Sequence, residues 1–325
     1  MCLLPLLLLV ALIGGAYVLT PLRERLSARE LVSGGQFLQV GGYELHVSDD
    51  GPRAAPAVLL IHGFGAWSFT WRAQRRALLA AGYRVISSDQ IGYGASARPA
   101  APVYTTRTQA ELILGVLDAL GVPQATLVGH SFGGRVAMQI ALIAPERARA
   151  IVAIAPEAFA TERPPIAKLV NVPLLGYALA FYSTAPALTR AGLKYVSKAH
   201  GWLTDEAVRG YAAPTAVRGS ALAQVWQARA PKDGALPVPA NLAGVRQPTL
   251  VIWGAGDPVF PADDARRLVG LLPDAKLLLV EGAGHLPHEE CEPEVTAAIL
   301  EFLRERHRQE LTHHRDTDSR ETGTA

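Results

Sequence analysis

The stretch "LVGHSFGGRVAMQIAL", Leu127–Leu142, decides the fold. Its first part is a short apolar run of the kind a strand makes when both faces are covered, its second part has helical spacing, and the change falls at Ser131. Gly129, Gly133 and Gly134 surround that serine. Where a strand turns sharply into a helix, side chains two residues either side of the turn collide. Gly129 and Gly133 remove that clash, and Gly134 lets the helix pack close. The start of the helix also presents unpaired backbone N–H groups and the positive end of its dipole. Charge developing on a bound carbonyl oxygen would be stabilised there. Ser131 therefore reads as a candidate nucleophile, with a purely structural turn as the alternative.

The same alternation recurs on either side. "AVLLIHG" (57–63) is a short continuous apolar run of strand length and "YRVISSD" (83–89) reads as another buried strand, the two separated by helical spacing from Phe69 to Ala81. Thr106–Leu120 reads as an amphipathic helix, and the strand "ARAIVAIAP" (148–156) follows the helix begun at Ser131. Strand then helix, repeated, predicts an α/β fold with a mostly parallel sheet and helices on both faces. Ahead of it, "FLQVGGYELHVS" (37–48) reads as two strands joined by a hairpin at Gly41-Gly42. The rhythm stops over 160–245, which is rich in Ala, Leu, Tyr and Pro. Helix-like pieces occur there at Leu174–Tyr182 and Ala221–Arg229, with no clear strand. It resumes with "PTLVIWGAGD" (248–257), a helix from Asp263 to Leu272, the strand "AKLLLVEGAGH" (275–285) and a helix from Pro293 to Arg306. One core, 36–159 with 246–306, is thus interrupted by a helical insertion.

A serine hydroxyl is a weak nucleophile until a base takes its proton and an acid orients that base. Asp257 ends one strand unit and His285 follows the next, 28 residues on, which fits a strand end, a helix and a further strand. Both side chains then reach the sheet edge that carries Ser131, where ligands bind in open parallel sheets. Glu157, at the end of "AIVAIAPE", is the alternative acid. His288 reads as a helix-start or surface residue, and His62 and His130 as makers of structural hydrogen bonds. Two N–H donors are also needed for an oxyanion. Phe132 follows the nucleophile, and Phe64 lies in "HGFGAWS", where Gly63 and Gly65 free the backbone to aim it.

Composition narrows the partners. The chain has 325 residues, half of them hydrophobic, with 31 Lys and Arg against 29 Asp and Glu. The net charge of +2 is spread without a basic run interleaved with aromatics, so nucleic acid is not expected. Cys2 and Cys291 are far apart and in no ligand spacing, which supports neither a disulfide framework nor a metal site, and no cofactor motif is present. His313-His314 lack a third ligand and receive no role.

The two ends read differently. Residues 1–22 carry no charged side chain before Arg23 and match the roughly 20 apolar residues that cross a bilayer core. A retained single-helix membrane anchor is expected, with Arg23, Arg25 and Arg29 favouring the following domain on the cytoplasmic side. Export after cleavage near Gly14-Gly15-Ala16 is the alternative, and a buried core helix a third reading. Residues 307–325 are almost wholly polar and read as a solvated tail.

With these residues assembled, the chain resembles the α/β-hydrolases, a family of esterases, lipases, haloperoxidase-like enzymes, carbon–carbon bond hydrolases, epoxide hydrolases and haloalkane dehalogenases. The likeness rests on "HGFG", "DQIGYGAS" from Asp89, "GHSFGG", "WGAGDPVFP" and "GAGH", in this order, between about Gln36 and Arg306. It implies an eight-stranded-type sheet, a triad of Ser131, Asp257 and His285, and a cap formed by the helical insertion over the site. Epoxide hydrolases and dehalogenases place an aspartate where this chain has Ser131, so the resemblance implies acyl chemistry instead. The expected activity is hydrolysis of small hydrophobic carboxylic esters through an acyl-enzyme, without cofactor. Carbon–carbon bond hydrolysis or perhydrolysis by the same triad is the nearer alternative, and a ligand-binding or sensing protein on the same fold the more distant one. The apolar N-terminal segment is more loosely similar to that of membrane-anchored monoacylglycerol-type lipases.

Overall fold

Eight strands form a single sheet in a computed structural model that describes residues 3–159, 169–230 and 239–321. They are β1 (Gln36–Val40), β2 (Tyr43–Asp50), β3 (Ala57–Ile61), β4 (Arg84–Ser88), β5 (Ala125–His130), β6 (Ala148–Ile154), β7 (Thr249–Gly254) and β8 (Ala275–Val280). Their order is β1-β2-β4-β3-β5-β6-β7-β8; β2 pairs antiparallel with β1 and β4, and all other neighbours are parallel. Gly41 and Gly42 both take positive φ, 56° and 82°, the backbone that a two-residue hairpin matched to strand twist requires.

The helices, in chain order, are α1 (Leu3–Arg23), α2 (Ala28–Leu31), α3 (Arg72–Ala80), α4 (Thr106–Ala119), α5 (Phe132–Ile143), α6 (Leu175–Ser183) and α7 (Pro186–Val196). They continue with α8 (Asp205–Ala212), α9 (Ser220–Arg229), α10 (Pro239–Leu242), α11 (Ala262–Leu271), α12 (Pro287–Glu290) and α13 (Glu292–Glu321). Both faces of the sheet are covered. Leu59 and Ile61 of β3 pack in one layer with Ile113 of α4, Val136 of α5 and Leu268 of α11. Val58 and Leu60, pointing the other way, join Leu78 of α3 and Val295 and Phe302 of α13. Every residue of β3, β4, β5 and β7 is buried, which is why β3 reads as a continuous apolar run and not an alternating one, while β4 also buries Arg84, Ser87 and Ser88. Each such Leu or Ile contributes about 1.5–3 kcal/mol by leaving water, so these two layers dominate stability.

Between β6 and β7 the described residues hold helices α6 to α10 and no strand; 160–168 and 231–238 of the expected insertion lie outside them. The insertion meets loops at the carboxyl edge of the sheet. Trp67 Nε1 donates to the Gly210 carbonyl at 2.9 Å, Gln227 Nε2 to the Gly92 carbonyl at 3.0 Å, and the Thr70 and Tyr211 hydroxyls lie 2.6 Å apart.

The N-terminus requires a correction. Among the described residues no helix is long and apolar enough to cross a membrane, so the expected single-helix anchor, its cytoplasmic placement and the membrane as a partner are not supported. Instead, one face of α1 is used on the insertion. Ala16 is fully buried with Ala178, Phe181 and Ala221. The Thr20 and Tyr177 hydroxyls are 2.7 Å apart, Tyr17 stacks on Tyr177, and the Arg23 guanidinium lies over the Phe181 ring. Just beyond, the Glu24 carboxylate accepts the Gly219 and Ala221 amides, both at 2.7 Å, and so caps the positive start of α9. The opposite face leaves Leu4, Leu8, Val18 and Leu22 exposed. At the other end, α13 continues to Glu321 through the segment expected as a solvated tail; no Pro or Gly from Glu294 to Glu321 stops it.

Candidate active site

Ser131 sits between the last residue of β5 and the first of α5 with φ 51° and ψ −117°. Such a backbone costs a residue with a Cβ about 1–3 kcal/mol and persists only where the surroundings hold it. Here the Ser131 amide donates to the Ile154 carbonyl, and its own carbonyl accepts the amides of Gly134, Arg135 and Glu157. The three glycines are each required by close approach. A Cβ on Gly129 would lie 2.4 Å from the Gly133 carbonyl oxygen, across the turn. On Gly133 it would lie 2.2 Å from the Ile61 carbonyl oxygen, and on Gly134 2.8 Å from Pro156 Cβ. Gly133 therefore serves contact with β3 more than clearance around the serine, and Gly134 fits α5 against the end of β6.

Three strand ends bring the candidate side chains together. His285 Nε2 is 3.1 Å from Ser131 Oγ, and His285 Nδ1 is 2.8 Å from Asp257 Oδ2. The second carboxylate oxygen of Asp257 accepts the amides of Val259 and Phe260, at 2.7 and 3.0 Å, so the acid is held by its own turn. With a carboxylate at Nδ1, the imidazole carries its proton there and offers the Nε2 lone pair to the hydroxyl. The Phe260 ring meets the imidazole edge-on at 5.2 Å. Glu157, the alternative acid, goes elsewhere: its carboxylate is 3.5 Å from Arg135 Nη1.

His62, His130 and His288 hold the frame. His62 Nδ1 donates to the Gly63 carbonyl and Nε2 accepts the Gln90 amide, and burial holds its pKa below the usual range. His130 Nε2 donates to the backbone carbonyl of His285 at 2.8 Å. Burial, then the nearby His288 and His285, keep His130 well below the usual range. His288 does begin a helix, α12, but it is buried and not at the surface, with Nε2 2.8 Å from Thr70 Oγ1. Burial, then His285 and Arg72, bring it down to about 3. Beside it, the Glu289 carboxylate accepts from the Tyr211 hydroxyl and from Arg72. Sequence reading singled out neither Glu289 nor Tyr211; only the acidic pair in "PHEE" hinted at a role.

Beside the serine, the amides of Phe64 and Phe132 have no protein acceptor among the described residues. Gly65 has φ 71°, and a Cβ on Gly63 would lie 3.1 Å from Ser131 Cβ, so the loop approaches Ser131 as closely as glycine permits. The Phe64 ring is exposed and meets the buried Tyr93 edge-on. Among the described residues no group of three or more His, Cys, Asp or Glu could hold a metal ion. A hydroxyl, a base and a buried acid in one chain of hydrogen bonds, with two unpaired amides nearby, can add a serine oxygen to a carbonyl carbon and stabilise the resulting oxyanion.

Comparison with known proteins agrees with this frame. A family model described as the alpha/beta hydrolase fold matches residues 56–291. A local match, 44% identical over 115 residues, links 35% of the chain to 34% of an epoxide hydrolase from Caballeronia sordidicola, so the chain spans about a third of that relative. A 2-hydroxy-6-oxo-6-phenylhexa-2,4-dienoate hydrolase from Burkholderia cepacia is 30% identical over 272 residues, covering 81% of this chain and 92% of that one. The solved structure of a thermophilic esterase from Thermogutta terrifontis superposes with a TM-score of 0.67 at 27% identity, covering 84% of this chain and 100% of that one.

Proposed function

Because this chain belongs to the α/β-hydrolase fold family, whose model spans residues 56–291, we propose that it is a serine hydrolase of hydrophobic carboxylic esters. The observation that carries this reading is the continuous relay from Asp257 through His285 to Ser131, at 2.8 and 3.1 Å. Ser131 Oγ attacks the ester carbonyl as its proton passes to His285 Nε2. The amides of Phe64 and Phe132 hold the oxyanion, and collapse expels the alcohol, which takes the proton back from His285. Water, deprotonated by the same imidazole, then attacks the acyl-serine and releases the acid. Asp257 keeps the imidazole in the tautomer that both halves need. Helices α6 to α9 roof this edge as a cap, and the apolar rings of Phe64, Phe132 and Phe260 favour hydrophobic acyl or alcohol groups.

The nucleophile separates this chemistry from that of the epoxide hydrolase relative. A serine oxygen joined to an acyl group is an ester that water can attack. Joined to an alkyl carbon, it is an ether that the same three residues have no means to cleave. A second reading, hydrolysis beside the ketone of a 2-hydroxy-6-oxo-dienoate, uses the same attack on a carbonyl and is favoured by the dienoate hydrolase relative, 30% identical over 81% of the chain.

A panel of p-nitrophenyl esters of graded chain length, run beside 2-hydroxy-6-oxo-6-phenylhexa-2,4-dienoate, tests the choice. Higher kcat/KM on the esters, lost in Ser131→Ala, is the expected result. Turnover of the dienoate without turnover of any ester would overturn the ester reading in favour of the second.

A further inference from the structure

We propose that Glu290 is a positioning residue that fixes His285 by tying its loop to the insertion. The side chain of Glu290 touches none of the three reacting groups, yet four backbone amides converge on its carboxylate. Oε2 accepts Gly284 N at 2.9 Å, Lys198 N at 2.6 Å and Ala199 N at 2.9 Å, and Oε1 accepts Leu286 N at 3.0 Å. Two of these amides flank His285 in sequence. The other two belong to the strap that leaves α7 of the insertion. A fifth hydrogen bond closes the ring, from His285 N to the Val196 carbonyl at 2.8 Å.

The strap lies against the catalytic loops with no slack. A Cβ on Gly284 would sit 2.7 Å from the Val196 carbonyl oxygen, and one on Gly256, beside Asp257, 2.9 Å from Lys198 Cγ. The acid loop, the histidine loop and residues 196–199 of the insertion are therefore one packed unit, and Glu290 is its anionic centre. Charge-assisted bonds from several amides to one carboxylate are strong and directional, so they fix the backbone on both sides of the imidazole. Since a misplacement of about 1 Å costs a catalytic group about 100-fold, this anchor sets the Nε2–Oγ geometry. It also makes this strap the fixed end of the cap, because lifting it would pull the histidine away from the serine.

This inference rests on the triad reading but not on the identity of the substrate, so the test uses a probe that needs only an activated serine. Wild type, Glu290→Gln and Glu290→Ala are compared for the second-order rate of Ser131 labelling by a fluorophosphonate, normalised to folded protein by circular dichroism. Glu290→Gln keeps the volume but turns an NH₂ group toward amide donors. Labelling slower by about 10-fold to 100-fold in Glu290→Gln is expected. With p-nitrophenyl acetate, kcat is expected to fall while KM moves little. Labelling within a factor of about two of wild type in folded Glu290→Gln would overturn the proposal, whatever Glu290→Ala does to folding. Normal labelling of wild type without turnover of any ester would overturn the ester reading alone, and no labelling of wild type would overturn both.

Discussion

Asp257 Oδ2 lies 2.8 Å from His285 Nδ1, while its other oxygen is held by the amides of Val259 and Phe260. An amide at this position could donate to Nδ1 and would trap the proton on Nε2, the wrong nitrogen for taking one from Ser131. Asp257→Asn is expected to lower kcat by about 10⁴-fold with little loss of fold. Glu157→Gln, which removes the charge paired with Arg135, is expected to keep kcat/KM within a few-fold. Steady-state kinetics of the two variants on one ester decides which acid serves the histidine; the reverse order would assign that role to Glu157.

Gly133 predicts a stability effect. Its absent Cβ would stand 2.2 Å from the Ile61 carbonyl oxygen and 2.5 Å from that of His62, backbone atoms of β3 and the loop after it. Gly133→Ala forces α5 off the sheet and is expected to cost about 1–3 kcal/mol or more, read from the midpoint of urea unfolding. An unchanged midpoint would contradict this packing.

The buried imidazoles predict how stability responds to acid. His288 is held neutral down to about pH 3, and His130 well below its ordinary range, in each case chiefly by burial. In the unfolded chain both take up a proton near pH 6.5. The unfolded state therefore binds more protons below that pH, and stability falls as pH drops from 6.5 toward 3, by about 1.4 kcal/mol per pH unit for His288, with His130 acting in the same direction. His46 runs the other way. Burial would lower its pKa, but the hydrogen bond to Asp89, the charge of that carboxylate and the bond to the Gly34 carbonyl together outweigh it and raise it. Its contribution is thus present in acid and is lost as pH rises through its folded pKa. In urea unfolding at pH 7 and pH 5, His288→Gln is expected to lose less stability on acidification than wild type.

Glu24 links the N-terminal segment to the insertion. Its carboxylate accepts the Gly219 and Ala221 amides at the start of α9, and it is buried. Glu24→Ala leaves those donors unpaired and is expected to destabilise this docking by about 1–3 kcal/mol. Faster hydrogen exchange in α1 and α9, with the sheet unchanged, is the expected signature.

How far the sequence reveals all this depends on the kind of signal. β3 and β5 are legible because burial on both faces leaves apolar runs that only a covered strand explains, and the insertion is legible because that pattern stops. Ser131, Asp257 and His285 could be placed on one edge by counting strand ends. The docking of α1 was not legible, because an apolar run reads alike whether lipid or protein covers it. What distinguishes the two is a face of Ala16, Thr20 and Arg23 matched to Tyr177 and Phe181, more than 150 residues away. Glu290 was hidden for a related reason: all its partners are backbone amides, which every residue but proline carries. The partner of Gly133 on β3 likewise depends on how closely α5 approaches, which spacing along the chain does not encode.

The most direct test of the central claim is intact-protein and peptide mass spectrometry after brief exposure to a slow p-nitrophenyl ester. A single acyl adduct on the peptide carrying Ser131, absent in Ser131→Ala and formed far more slowly in His285→Gln, is the predicted result. Ester hydrolysis that persists in Ser131→Ala, with no adduct on that peptide in wild type, would contradict it.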